Sequence, residues 1–394
     1  MGCCLCINLS KLQKPEDKTQ KKNSANNITD SSTNGLSHYN SENSIRGLVS
    51  NRTSTATVVS SDEFQPIKLL GKGSYGKVVL VKYYYNNKIY AMKIIDKEEI
   101  IKKKVVQQTK TERILLEKLD HPFIVKLIFS FQDQEKLYLV TEFMQGGELY
   151  FHLKRNISFK ESTTRFYLCE ILLALQYIHD KGYIYRDLKP ENILLDKDGN
   201  IKISDFGLSK FLSNDEKSTN TICGTAGYIA PEIFNGKNYD KSCDWYSFGV
   251  LFYEMLCGCF PIENRKKNLE NLINEVKFPE NINENAKDLI LKLMTIEPKE
   301  RIGYNSVDEI KNHKFFNDID FDKVLKKEYK VPFRPKLHGE MDLKYFDINF
   351  TEDDMDSFSE EKKEFQNTEN FDGFSFCREE EIKDEEEENE NDDI

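Results

Sequence analysis

The chain has 394 residues, 39% of them apolar and 31% charged, which is too polar for a chain folded end to end and calls for a folded centre with polar ends. A formal net charge of −11 argues against nucleic acid as a partner. The nine cysteines include no CxxC pair matched by a second, so they suggest neither a disulfide framework nor a zinc set and fit a reducing, cytosolic setting.

Residues 1–60 are rich in Asn, Ser, Thr and Lys and lack any sustained period, so they read as a disordered arm. Seven basic and four acidic residues give the arm a net charge of +3. Met1–Ser10 has no long apolar core, so no secretory signal is expected. Met1-Gly2-Cys3-Cys4-Leu5-Cys6 offers Gly2 for myristate and Cys3 and its neighbours for palmitate. Lys11, Lys14, Lys18, Lys21 and Lys22 follow, and basic residues beside an acyl chain favour anionic lipid. The expectation is a cytoplasmic protein held peripherally on a membrane surface by its acylated arm. The competing reading is an ordinary disordered start or a metal-scavenging cysteine cluster.

Ile67 and Leu69 alternate with polar positions, and Val78–Tyr84, Ile89–Ile95, Lys126–Phe131 and Leu137–Thr141 are short, β-branched and aromatic. They predict a small sheet. Lys104–Leu119, with Val105, Ile114, Leu115 and Leu119, predicts one helix packed on it. After Gly146 apolar residues recur at helical spacing, Phe166 through Ile178, and Gly182 is a natural stop. Trp245–Ile262 is the most apolar run, but Glu254 and Pro261 favour a buried helix over a membrane span. Residues 317–377 have many aromatics and few periodic runs, as in a tail that lies on another surface. Residues 378–394 hold eleven acidic and two basic residues, a solvated acidic end.

Gly71-Lys72-Gly73-Ser74-Tyr75-Gly76-Lys77-Val78 joins two strands of a hairpin. Its glycines let backbone approach phosphates without Cβ clashes. A dinucleotide fingerprint would instead join a strand to a helix. Seventeen residues after Gly76, Lys93 ends the strand segment Tyr90-Ala91-Met92-Lys93. It can reach phosphate oxygens, and Glu112 on the predicted helix is placed to hold it. Asp187, Lys189 and Asn192 follow the long helix, and Asp205-Phe206-Gly207 stands thirteen residues after Asn192. An Asp, an Asn and a second Asp can supply a proton acceptor and hard oxygen ligands for magnesium. Ala230-Pro231-Glu232 closes a segment that contains Thr221.

This ordered set resembles the eukaryotic protein kinases over about residues 64–316. The resemblance implies an α+β, bilobal fold, with a small β-rich lobe carrying one main helix and a larger helical lobe. It implies that the Gly71–Gly76 loop, with Lys72, Gly73, Ser74, Tyr75 and Lys77, covers the phosphates of ATP. Lys93, paired with Glu112, contacts those phosphates. Asp187 accepts the substrate hydroxyl proton, Lys189 steadies the γ-phosphate, and Asn192 and Asp205 hold Mg2+. Leu70, Val78, Ala91 and Leu194 sandwich adenine, Glu142 and Met144 lie in the hinge, and Thr141 stands at the back of the pocket. Leu116, Leu127, Tyr185 and Phe206 form an apolar column between the lobes, Glu232 pairs with Arg301, and Asp244 holds the catalytic loop.

Finer features resemble the AGC group, the relatives of protein kinases A, B and C. They are Tyr185 in the catalytic loop, the Thr221–Thr225 segment, Val331–Pro335, Tyr345-Phe346-Asp347, and Phe371-Asp372-Gly373-Phe374-Ser375-Phe376. The last resembles that group's hydrophobic motif and is expected to dock beside the Glu112 helix. The resemblance implies Thr221 and Ser375 as phosphosites for an upstream activating kinase, with Lys97 a basic neighbour of Ser375. It also implies Glu148, Glu191 and Glu254 as binders of arginines in basic protein substrates, chiefly at position −3. Gln108, Ala226 and Gly227 depart from the group's pattern. Gly227 stands where a Glu is common, and the middle tail motif near Asp354, Ser357 and Ser359 is degenerate.

Overall fold

The computed structural model describes residues 59–73, 76–213, 218–262, 276–351 and 371–378. The Gly2–Cys3 arm, Ser74, Tyr75, Asp354, Ser357, Ser359 and residues 379–394 lie outside the described residues.

Alternation along the β-branched segments produces an antiparallel sheet of β1 (Phe64–Gly73), β2 (Gly76–Tyr83), β3 (Ile89–Asp96), β4 (Leu127–Gln132) and β5 (Lys136–Glu142). Successive side chains point to opposite faces. Val79, Val81, Met92, Ile94, Tyr138 and Val140 bury on the outer face under Phe64, Phe129 and Phe131. Val59, expected in the arm, is buried there too. Register pairs Val78 with Lys93 and Ala91 with Thr141, so these four share the inner face.

The α1 helix (Lys97–Lys102) starts on Asp96, whose carboxylate accepts from the Glu99 backbone N–H. The expected helix follows as α2 (Val106–Lys118). It starts two residues late because Lys104 takes a left-handed φ of 57°. Ile114 does not pack inward; it is 38% exposed. The buried face is Thr109, Glu112, Arg113, Leu115 and Leu116, partly polar because it faces a site and a tail as well as a sheet.

The larger lobe holds α3 (Leu149–Asn156), α4 (Glu161–Asp180), α5 (Pro231–Phe234), α6 (Ser242–Cys257), α7 (Glu284–Leu293), α8 (Asp308–Lys311) and α9 (Phe321–Leu325). Short strands β6 (Gly147–Glu148), β8 (Ile193–Leu195) and β9 (Ile201–Ile203) form one ribbon, and β7 (Tyr183–Ile184) pairs with β10 (Lys210–Phe211). The α4 helix is buried along most of its length, and α6 almost throughout. The latter ends at Gly258, so the most apolar run is a core helix, and no described helix is long and apolar enough to cross a membrane. Arg301 and Glu232, both buried, pair at 2.7 Å, and Arg301 also donates to the Ser242 carbonyl.

The tail is bound, not loose. Lys327 pairs with Asp196 and Arg334 with Asp198. Phe333 and Tyr345 pack on His152, and Phe346 stacks on Phe143. A Cβ on Gly199 would stand 2.0 Å from the Phe333 carbonyl oxygen, and one on Gly147 would stand 2.3 Å from that of Tyr345. Both positions need glycine for positive φ and for this approach. After α10 (Ile348–Thr351), β11 (Phe376–Cys377) adds a sixth strand beside β4.

Candidate active site

The inner face of β3 puts Lys93 opposite α2. Its ammonium lies 2.6 Å from Glu112 Oε1 and 3.5 Å from Asp205 Oδ1. Burial works against the Lys93 charge, but the Asp205 and Glu112 carboxylates outweigh it and hold the group above its usual range. Lys93 holds the Asp205 carboxyl below its usual range, while burial pushes Glu112 up. Asp205 takes a left-handed φ of 54°, a strained setting that the surrounding contacts must hold.

Facing this set is the loop after β7. Asp244 accepts from the backbone N–H groups of Tyr185 and Arg186 at 2.9 and 2.8 Å, and its carboxylate lies 2.8 Å from His179 Nε2. Asp244 thereby fixes the turn at Arg186, whose φ is 71°. Beyond the turn, Lys189 Nζ lies 2.8 Å from Asp187 Oδ2, and Asn192 Nδ2 donates to the same oxygen at 2.8 Å. Tyr185 meets Phe206 edge-on at 5.4 Å, and both join Leu116 and Leu127 in one buried cluster.

Leu70, Val78, Ala91 and Leu194 are each half-buried, as walls of a cleft are, and Met144 is buried. Cβ atoms on Gly71 and Gly73 would meet nothing closer than 3.8 Å, whereas one on Gly76 would stand 1.9 Å from the Ile94 carbonyl oxygen. The first two glycines keep the roof open for phosphates, and the third admits β3. Among the described residues no group of three or more His, Cys, Asp or Glu could hold a metal unaided. Asp205 and Asn192 suit magnesium, which takes one or two protein oxygens and completes its shell from phosphates and water.

Two expectations about side-chain direction are corrected, for the loop lysines and for Lys97. Lys77 lies on the outer face, lining a cavity with Phe64, Val81, Met92 and Tyr138. Lys72 is its direct cross-strand partner and shares that face, so neither side chain points to the cleft. The Glu142 carboxylate turns to Lys202 at 2.6 Å and to the Lys126 N–H at 2.7 Å, so it struts the hinge. Lys97 lies over the Phe371 ring and donates to Gln132 and the Asp133 carbonyl, so its ammonium is engaged by partners other than Ser375.

Glu148, Glu191 and Glu254, far apart in sequence, come together. Glu254 is buried, and its intramolecular partner is the Tyr228 hydroxyl at 2.5 Å rather than a cation. Burial and then Glu191 push its carboxyl up to about 7. The protein around Glu148 and the nearby Glu191 push that group up to about 7 as well. Glu148 keeps an open side to solvent, which screens it, whereas Glu254 is buried.

Thr225 was missed as a working residue. Its hydroxyl donates to Asp187 Oδ1 at 2.7 Å and accepts from Lys189 Nζ at 3.0 Å. The sequence signal was Gly224, whose φ of 110° and close seat on the Arg186 carbonyl bring this loop back onto Asp187.

A two-lobed fold with this polar set across its cleft defines a protein kinase. The protein kinase domain family matches residues 64–316, and the chain belongs to that family. Its long matches are to AGC-group kinases. It is 43% identical over 328 residues to serine/threonine-protein kinase YPK1 of Saccharomyces cerevisiae, covering 82% of this chain and 48% of that protein. It is 43% identical over 299 residues to cAMP-dependent protein kinase type 3 of the same yeast, covering 74% of each. It is also 43% identical over 298 residues to the RAC-beta serine/threonine-protein kinase of Homo sapiens, covering 74% of this chain and 62% of that protein. The chain spans about half the length of the first curated relatives it matches.

Thr225→Val removes a hydroxyl that bridges two charged groups. A hydrogen bond of that kind contributes about 1.5–3 kcal/mol. Phosphate incorporation is expected to slow roughly 10- to 150-fold with little change in melting temperature. Unchanged turnover would remove Thr225 from the machinery.

Proposed function

We propose that the chain is an active serine/threonine kinase, moving the γ-phosphate of Mg-ATP to Ser or Thr hydroxyls of protein substrates. The observation that carries this is the intact set Lys93–Glu112–Asp205 facing Asp187–Lys189–Asn192. Bound Mg-ATP supplies the electrophilic phosphoryl group and neutralises part of its charge. Asn192 and Asp205 would hold the metal. Lys93, kept charged by two carboxylates, would bind phosphate oxygens under the glycine roof. Asp187 accepts the hydroxyl proton, and Lys189 neutralises charge beside it. Positioning and electrostatics of this kind suffice for in-line transfer. Asp187→Asn and Lys93→Met are expected to abolish phosphate incorporation while the melting temperature stays near wild type. Near-normal transfer in either variant would overturn the reading.

The acidic recess of Glu148, Glu191 and Glu254 supports basophilic choice, with Arg at −3. Glu191 Oε2 is buried with no hydrogen-bond partner among the described residues, as a guanidinium site would need. Glu254 and Glu148 are protonated below about 7 and must lose the proton to pair a cation. Raising the pH from 6 to 8 is therefore expected to lower KM several-fold for an Arg(−3) peptide and to leave an Ala(−3) peptide flat. The same raised values mean that the native state retains protons the unfolded chain releases, so these groups cost stability as pH climbs from 4.5 to about 7. Equal pH dependence for both peptides would refute this.

Regulation by an upstream kinase is supported at Thr221. Its side chain is exposed, and its carbonyl accepts from the Tyr239 hydroxyl, which Arg186 Nη1 contacts at 3.0 Å. Lys210 Nζ donates to Thr219, whose hydroxyl lies 3.5 Å from that of Thr221. A phosphate there finds two cations. Ser375 is exposed too, and Arg113 already holds its carbonyl at 3.1 Å. Protein isolated from cells is expected to lose about ten-fold activity in Thr221→Ala and less in Ser375→Ala. Full activity in both would end the two-site scheme.

Gly2 and Cys3 support a lipid-anchored placement. One myristate gives only marginal binding, with an association constant on the order of 10⁴ M⁻¹, so a second acyl chain is needed. Gly2→Ala is expected to move tagged protein from the membrane to the soluble fraction. A wild type already soluble, without acyl label, would refute the anchor.

A further inference from the structure

Gly258 ends α6 in the left-handed region, with φ 73°, seated so closely on Ile157 that a Cβ would stand 2.2 Å from its carbonyl oxygen. This contact fixes where Cys259 and Phe260 leave the helix. Phe260 then lies over Gly227. A Cβ on Gly227 would stand 2.6 and 2.8 Å from two atoms of the Phe260 ring. The ring therefore fills the room of a side chain at position 227. It also meets Tyr228 edge-on, with centroids 5.3 Å apart at 71°. Tyr228 in turn holds Glu254.

Although packed on two residues, Phe260 is still 42% exposed. Cys259 beside it is exposed, and Ile157 is 74% exposed. The exposed Phe260 ring is a small apolar shelf joined to the acidic recess through Tyr228. A path of contacts runs from Asp187 to Thr225, along the loop to Gly227 and Tyr228, and then to Phe260. Through Tyr228, Phe260 adjoins Glu254 in the recess, on the side away from Asp187 along this path, so it is open to substrate residues beyond the arginine. Position 227, where a carboxylate is common in similar kinases, here presents a phenyl ring.

We propose that Phe260, admitted by Gly227, is a specificity-determining residue that takes a bulky apolar side chain of the substrate, N-terminal to the arginine held by Glu148, Glu191 and Glu254. The proposal rests on the basophilic reading above. An apolar pocket discriminates by about ten-fold or more per methylene when enclosed. An open shelf covers less of the guest, and about five-fold is expected here between Leu and Ala.

The test uses the full chain and peptides with Arg at −3, carrying Leu, Arg or Ala in turn at positions −4 to −8. Wild type is expected to favour Leu over Ala at one of these positions by about five-fold in kcat/KM, carried by KM. Phe260→Ala is expected to bring that ratio to near one, and Phe260→Leu to keep most of it. Gly227→Glu is expected to displace the ring and turn the choice at that position to Arg. Melting curves are taken for every variant, and Phe260→Leu carries the comparison should Phe260→Ala fold poorly. The proposal is overturned by the absence of a Leu preference in wild type, by a wild-type preference for Arg, or by a ratio unmoved in Phe260→Ala. The series is repeated with Ala at −3. Loss of any dependence on that arginine would sink the basophilic reading, while the Leu-to-Ala ratio is still read separately.

Discussion

The ion pair between Lys93 and Glu112 is the contact on which the site depends, because it joins a strand to a helix that a distant tail holds in place. Glu112 and Arg113 are neighbours on α2 and face opposite tasks. Glu112 reaches into the cleft, and Arg113 donates to the Phe374 and Ser375 carbonyls at 3.0 and 3.1 Å. Ser130 on β4 donates to the same Phe374 carbonyl at 2.7 Å. Phe371 and Phe374 are buried, and Lys97 and Lys110 lie 5.2 Å from the Phe371 ring. Burying two phenylalanines contributes roughly 1.5–3 kcal/mol each. The seat of α2, and so the position of Glu112, is coupled by direct contacts to residues more than 250 positions away.

The charge pattern around Lys93 explains why this pair tolerates its surroundings. A buried ion pair alone recovers little of its desolvation cost. Here two carboxylates face one ammonium, and the excess negative charge lies at the open side, on Asp205. That is where a bound metal cation would add positive charge, while Lys93 faces phosphate oxygens. The site is organised for ions it does not itself supply.

Much of this was legible in the sequence. Strand positions followed from short β-branched and aromatic segments, and the roles given to the polar residues of the cleft followed from resemblance to the protein kinases. Errors arose where a side chain's direction, not its position, decided its role. Lys72 and Lys77 sit in the glycine loop, yet strand register turns them outward. Ile114 obeyed helical spacing but lies exposed, because α2 spends its buried face on Glu112 and Arg113. Thr225 carries no mark of its own role, and the glycine before it is a sign of a turn but not of the turn's destination at Asp187. The gathering of Glu148, Glu191 and Glu254 came from resemblance alone, since they lie on β6, a short turn and α6.

The sixth strand has a meaning beyond holding α2. An open sheet edge with unpaired backbone groups is a template for other chains. The β4 strand, Leu127-Ile128-Phe129-Ser130-Phe131-Gln132, has four apolar residues in six and would be such an edge. In this chain β11 covers it, pairing Phe376 with Ser130 and Cys377 with Phe129. Arg378 extends the cover, its backbone N–H bonding the Ile128 carbonyl and its guanidinium the Leu127 carbonyl. A fragment cut at the family boundary, residue 316, would keep every catalytic group and yet bare this edge. Such a fragment invites self-association through β4, so the tail also protects the protein's solubility.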